Sequence, residues 1–103
     1  MKESSMCPKL EKAMALISKR WTAMIIYQLL NGSQRFCEIE SSFPISGRLL
    51  SERLKELENE GIVTREVFPE VPVRVEYSLT AKGLALAPFI KELEKWSESY
   101  ITL

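Results

Sequence analysis

Residues 35–79 read RFCEIESSFPISGRLLSERLKELENEGIVTREVFPEVPVRVEYSL, and the order of elements in this stretch decides the fold. Residues 36–42 have the length of a short helix, with Phe36 and Ile39 turned inward and Phe43 closing it. Pro44 breaks the chain, because proline neither donates an amide nor fits the preceding helical turn. Ser46 is a natural N-cap for the next helix, since its hydroxyl can accept a free amide of the first turn. Across residues 47–60, Leu50, Leu54 and Leu57 recur on one side with Leu49 at the border, while Gly47, Arg48, Ser51, Glu52 and Lys55 lie opposite. Gly61 ends that helix. Residues 62–67 and 73–79 read as strands. In the second, Val73, Val75, Tyr77 and Leu79 alternate with Arg74, Glu76 and Ser78. Pro69-Glu70-Val71-Pro72 forms the tip between them, stiffened and guarded against edge pairing by its prolines. Helix, turn, helix and ribbon is the order of a winged helix-turn-helix.

The flanks extend this unit. Over residues 8–18, Leu10, Ala13, Met14 and Ile17 fall at the spacing of an amphipathic helix, and Pro8 suits its first turn. Residues 21–30 are apolar on nearly every face, which predicts a helix buried all round, stopped by Asn31-Gly32-Ser33. Thr80 caps a last helix predicted over 81–100, where Leu86, Phe89, Ile90, Leu93, Trp96 and Tyr100 recur at three- and four-residue steps. The expected architecture is α+β and mostly helical, with residues 1–103 forming one winged-helix domain. The helix-turn-helix spans 36–60 and the wing 62–79. Because those elements already furnish a core, the apolar face at 86–100 has little left to cover, and such surface usually finds a partner. The first and last helices, 8–18 and 81–100, are therefore expected to build a two-fold homodimer.

Composition narrows the function. Hydrophobic residues make up 46% of the 103, enough for a core, and the 27% charged fraction argues against disorder or a membrane protein. No apolar run approaches the ~18 residues that a membrane span needs and no signal-peptide pattern is present, so a cytoplasmic protein is expected. Fourteen Lys and Arg balance fourteen Glu, with no Asp. That neutrality counts against a nucleic-acid binder, but the charge is unevenly placed. Residues 1–20 carry Lys2, Lys9, Lys12, Lys19 and Arg20 against Glu3 and Glu11, and in 45–64 the acids cluster late. The helix start is thus left open to phosphate. The absence of histidine removes the commonest general base and metal ligand. Cys7 and Cys37, thirty positions apart, make no Cys-x-x-Cys pair. No enzyme, cofactor or metal site is expected.

The helix beginning at Ser46 is the expected reader of double-stranded DNA. Ser46, Arg48, Ser51 and Lys55 place donors on its open early face, and Gly47 thins the backbone there; Arg suits guanine O6 and N7. Arg74 on the ribbon's polar face is expected to reach a minor groove or phosphate. The competing reading pairs it with Glu70 or Glu76. Arg35, and less specifically Lys19 and Arg20, sit near helix starts and could hold the backbone. Cys7 precedes Pro8 at a helix start, where the dipole and nearby Lys9 and Lys12 favour a reactive thiolate. Cys37 lies in a similar position, opposed by Glu38 and Glu40.

Several blocks together resemble the HxlR-type bacterial transcription regulators, a winged-helix branch related to MarR-type proteins. They are Cys7-Pro8-Lys9-Leu10-Glu11-Lys12-Ala13, Lys19-Arg20-Trp21-Thr22, Arg35-Phe36-Cys37-Glu38-Ile39, the Leu50–Leu57 run, residues 69–77 and Leu79-Thr80-Ala81-Lys82-Gly83. The resemblance covers residues 7–97. It implies a homodimer held by its terminal helices on an inverted-repeat operator, most simply a repressor. Some members use the cysteine of the Cys-Pro position to sense quinones, aldehydes or oxidants, and Cys7 stands there. The second, C-terminal cysteine of many redox members is absent, which leaves a Cys7–Cys7 bridge between protomers, alkylation or a mixed disulfide. Two alternatives accompany this reading: a winged-helix module that docks proteins, and a regulator answering a non-thiol ligand.

Overall fold

The structure, a computed structural model, describes residues 7–103. Lys2 and Glu3, two of the charges in the basic N-terminal segment, lie outside them. The chain forms α1 (Pro8–Ile17), α2 (Thr22–Leu29), β1 (Gln34–Arg35), α3 (Phe36–Ser42), α4 (Gly47–Asn59), β2 (Val63–Phe68), β3 (Arg74–Leu79), α5 (Ala81–Leu84) and α6 (Ala87–Tyr100). The core gathers Ile25, Ile26 and Leu29 of α2, Ile39 of α3, Leu50, Leu54 and Leu57 of α4, with Ile62, Val63 and Ile90 closing it. Leu50, Leu54 and Leu57 are thus the buried stripe that their spacing requires.

Local chemistry fixes the helix ends. The Ser46 hydroxyl accepts the Leu49 amide at 3.1 Å, and Gly61 takes φ +74° to turn the chain out of α4. Thr80 caps α5 by accepting the Gly83 amide at 3.1 Å, and its hydroxyl lies 2.6 Å from the Gly61 carbonyl it can donate to. A side chain on Gly83 would collide with the Ile62 carbonyl, so only glycine lets α5 lie this close to the start of β2.

Five sequence expectations are corrected, the last of them at Trp21. The sheet is three-stranded in the order β1-β3-β2, because Gln34 and Arg35 pair with Tyr77 and Glu76 while β2 pairs antiparallel with β3 from Val63↔Leu79 to Phe68↔Arg74. With a neighbour on each edge, β3 is half-buried along its whole length and does not alternate between inside and outside. The predicted 81–100 helix is two helices: α5 stops at Leu84 and α6 restarts at Ala87, with Pro88 in its first turn. Proline cannot donate to the carbonyl four residues back, which is what divides them. Helix α2 is not buried all round; Thr22, Ile25, Ile26 and Leu29 face the core, while Met24 and Tyr27 are exposed.

Trp21 falls before α2, not within it. It adopts φ +77°, a left-handed conformation that costs a residue with a Cβ about 1–2 kcal/mol. Stacking offsets that cost: its ring lies 5.4 Å from Phe43 at 11°, and the Arg20 guanidinium sits 4.9 Å above it. This contact ties the α1–α2 turn to the turn before α4. No helix among the described residues is long and apolar enough to cross a membrane.

Candidate nucleic-acid interface and thiol site

Burying Leu50, Leu54 and Leu57 leaves Arg48, Ser51 and Lys55 together on the open side of α4. The Arg48 side chain is 92% exposed and meets Glu52 only loosely, at 3.8 Å. Lys55 has no carboxylate partner among the described residues. Ser46 uses an oxygen lone pair for the cap, yet its hydroxyl proton is still free to donate. Gly47 lies in the first turn of α4, half-buried beside Glu40 of α3. A Cβ there would lie 2.7 Å from a Glu40 carboxylate oxygen, the movable end of an exposed side chain.

One of the late acids of α4, Glu56, is held by cations of its own fold. Glu56 accepts Lys19 at 2.8 Å and Arg53 at 3.0 Å, and the Lys19 ammonium in particular holds its carboxyl below the usual range. Arg53 also donates to the Arg20 carbonyl at 3.0 Å. Lys19 and Arg20 therefore brace the α1–α2 turn: one is paired with Glu56 and the other stacks on Trp21.

In the wing, Arg74 takes the alternative that the sequence allowed. Its guanidinium donates to Glu70 at 2.9 and 3.3 Å, binds Glu76 as well, and lies 3.9 Å over the Phe68 ring. Glu70 and then Glu76 push the arginine's pKa upward, while Arg74 lowers that of Glu70. To touch DNA, Arg74 would have to exchange a carboxylate for a phosphate. Arg35 is the N-cap of α3; its backbone amide donates to Glu38 at 2.8 Å while its side chain is exposed and near enough to Glu70 to add to that lowering. Arg65, not singled out in the sequence, is an exposed cation of β2 without a carboxylate partner among the described residues. Its place in a ribbon beside a helix-turn-helix was the available signal.

Cys7 is exposed at the N-cap of α1. No hydrogen bond to its sulfur is closed, but the backbone amides of Leu10 and then Lys9 draw the thiol pKa below its ordinary value. Cys37, second in α3, is also exposed and free. Nothing among the described residues groups His, Cys and Glu as metal ligands would require.

The terminal helices show large uncovered surface. No residue of α1 is buried, and Leu10 and Met14 are exposed. Helix α6 buries Ile90 alone and exposes Phe89, Leu93, Trp96 and Tyr100, at steps of four, three and four. Met24 and Tyr27 of α2 extend this surface, and the Tyr27 hydroxyl donates to Glu94 of α6 at 2.6 Å.

Residues 16–103 match the HxlR-like helix-turn-helix family. The chain is similar to YvaP, an HTH-type transcriptional regulator of Bacillus subtilis (strain 168), at 63% identity over 102 residues, covering 98% of this chain and 94% of that protein. It is 48% identical to the HTH-type transcriptional regulator YodB of the same organism over 98 residues, 94% of this chain and 88% of YodB. The reduced form of YodB superposes with a TM-score of 0.83, covering 93% of this chain and 95% of that one, at 48% identity. The redox regulator HypR in its oxidized form superposes with a TM-score of 0.87 at 39% identity, covering 94% of this chain and all of that one.

Proposed function

The chain belongs to the HxlR family of helix-turn-helix transcriptional regulators and has their winged-helix fold, and from that premise we propose that it is a homodimeric repressor released by modification of Cys7. One observation carries the DNA-binding part: Arg48, Ser51 and Lys55 share the open face of a helix whose opposite face is locked in the core. Two such helices, related by a two-fold axis, would enter successive major grooves of an inverted repeat with half-sites about one turn, ~10 bp, apart. Arg48 reads a base, Lys55 and Ser46 meet phosphate or base edges, and Arg35 grips the backbone beside the wing. The uncovered stripe of α6 and the unburied α1 support the dimer.

The thiol part rests on Cys7 being exposed at a helix start, and on the relatives. YodB has been solved reduced, diamide-treated and quinone-bound, and HypR reduced and oxidized. A quinone would add to the Cys7 thiolate through a new sulfur–carbon bond and take up a proton. An oxidant such as diamide would accept two electrons as Cys7 pairs with a second thiol. Either change sits at the first turn of α1, where it would shift the helix that helps hold the two DNA-reading heads in register.

The test is fluorescence anisotropy on DNA from upstream of the gene and its neighbours, with reduced protein and then after stoichiometric quinone or diamide. Tight, salt-sensitive binding that treatment abolishes in the parent protein, but not in Cys7→Ser, is the expected result. Restoration by a thiol reductant identifies a disulfide, and irreversible loss identifies alkylation. A Cys7→Ser protein still released by electrophile overturns the thiol switch. Binding that ignores salt overturns phosphate recognition in favour of a docking module.

A further inference from the structure

One carboxylate at the start of α4 has no structural task. Glu38, in the same helix α3, accepts the Arg35 amide and closes the helix start. Glu40 is exposed, and no cation among the described residues lies within ion-pair distance of it. Its side chain nevertheless has a defined place. One carboxylate oxygen stands 2.7 Å from the point where a Cβ of Gly47 would lie, so it fills the space that this glycine leaves bare at the first residue of α4. The positive end of the α4 dipole favours a carboxylate there. The amides of Leu49 and Leu50 are bonded to Ser46, whereas those of Gly47 and Arg48 have no acceptor among the described residues. Arg48 does not neutralise Glu40; it leans along its own helix toward Glu52, at 3.8 Å.

We propose that Glu40 is a specificity-determining residue of DNA recognition, accepting the exocyclic amine of a cytosine in the operator. The assignment rests on the reading of α4 as the helix that enters the major groove, where its first residues face base edges. A carboxylate only accepts hydrogen bonds, and so do phosphate oxygens, so Glu40 gains nothing from the DNA backbone and is repelled by it. Only the amines on base edges suit it. Cytosine offers N4 as a donor, with no acceptor of its own beside it in the groove. Adenine offers N6, but its N7 is an acceptor and opposes the second carboxylate oxygen. Guanine presents N7 and O6, and thymine presents O4 and a methyl group, so neither offers a donor. The same side chain thus penalises DNA that lacks cytosine at its position and favours DNA that has it. Arg48, one residue beyond Gly47, makes the complementary choice of guanine, which places two opposite readers at one end of α4.

The test is selection from a random duplex library with the full-length reduced protein, so that no operator need be known beforehand. Parent, Glu40→Gln, Glu40→Ala and Glu58→Gln are compared. Glu58 is exposed late in α4, and its exchange removes the same charge away from the helix start. The parent is expected to enrich an inverted repeat with cytosine at one position of each half-site. Glu40→Gln should change that base to adenine, because an amide matches N6 and N7 together. Glu40→Ala should accept any base there, and Glu58→Gln should keep the parent sequence. In competition anisotropy the parent should favour cytosine over adenine at that position by roughly tenfold, within the range of one base contact. A carboxylate that only steadies α4 would instead weaken all sequences alike. An enriched sequence shared by all four proteins overturns the Glu40 assignment and leaves DNA reading intact. So does a change at a position where the parent does not select cytosine. A parent that enriches no sequence overturns the reading of α4 itself, and the assignment falls with it.

Discussion

Gly83→Ala should destabilise the protein far more than its chemistry suggests. A Cβ built on Gly83 falls 2.4 Å from the Ile62 carbonyl oxygen, 3.0 Å from Leu79 Cδ2 and 3.1 Å from Ile62 Cγ2. An ordinary carbon–oxygen contact is no closer than about 3.3 Å, so α5 would have to retreat by about 1 Å. The obstructing atom is backbone and cannot rotate aside, which places the overpacking cost near the upper end, ~2–3 kcal/mol. Retreat also stretches the bond from the Thr80 amide to that same oxygen, now 2.9 Å, and disturbs the Thr80 hydroxyl near Gly61. That loss of about 1 kcal/mol is roughly cancelled by alanine's better helix propensity, also about 1 kcal/mol. The net is ~2–3 kcal/mol, a fall in Tm of roughly 10–20 °C for a domain of this size. Urea melts of parent and variant at one fixed chain concentration measure it, since the proposed dimer would make apparent stability concentration-dependent. Gly32→Ala is the control. Gly32 has φ +122° but open space around it, so it tests backbone strain without collision. A Gly83→Ala protein within ~0.5 kcal/mol of the parent, the level of an indifferent surface change, would refute the packing argument.

Arg48→Ala should cost ~1–3 kcal/mol at one operator position and lower the ratio of operator to random-sequence affinity; an unchanged ratio in competition anisotropy would make Arg48 a phosphate contact. Glu56→Gln should flatten the acid limb of the stability curve. Because the folded carboxyl lies below its unfolded value, its contribution is complete above the unfolded pKa, ~4.3, and is lost as pH falls through the lowered folded value. The group is partly exposed, so the difference at neutral pH should not exceed about 1 kcal/mol, and identical pH-melt profiles would show that Lys19 and Arg53 gain nothing from it.

The sequence discloses those parts of the fold that are governed by local chemistry. Ser46 and Thr80 cap helices because a hydroxyl stands at the right distance from free amides, and Leu50, Leu54 and Leu57 declare their buried face by spacing alone. Features set by distant partners were not legible. Gln34 and Arg35 become a strand only because Tyr77 and Glu76 arrive beside them, some forty residues later. The left-handed turn at Trp21 depends on Phe43. Helix α2 looked uniformly buried because composition cannot distinguish a side chain covered by its own core from one, such as Met24, on an apolar outer face. Pro88 was visible, but the regular apolar repeat on either side of it concealed the break. At the candidate site, the donors of α4 followed from helical spacing. Arg74 did not resolve, since alternation gives a face to a side chain and says nothing of which neighbour it grips.

The arrangement of ion pairs reconciles a neutral chain with a polyanionic partner. Glu56 is closed by Lys19 and Arg53, and Glu70 and Glu76 are closed on Arg74, so carboxylates that would repel phosphate are held by cations with structural tasks. Arg35, Arg48 and Lys55 remain open on the proposed interface. If Arg48 reads a base and Arg35 and Lys55 alone meet phosphate, a dimer neutralises about four, and log K should fall against log salt with a slope of about −4. If Arg74 leaves Glu70 for the backbone, two more contacts steepen the slope to about −5. Glu70→Gln decides between these cases. Freeing Arg74 from one partner should tighten binding if the wing arginine engages DNA, because the exchange no longer breaks a charged pair. An unaltered affinity and a slope that stays at about −4 would keep Arg74 within the protein, bracing the wing against Phe68.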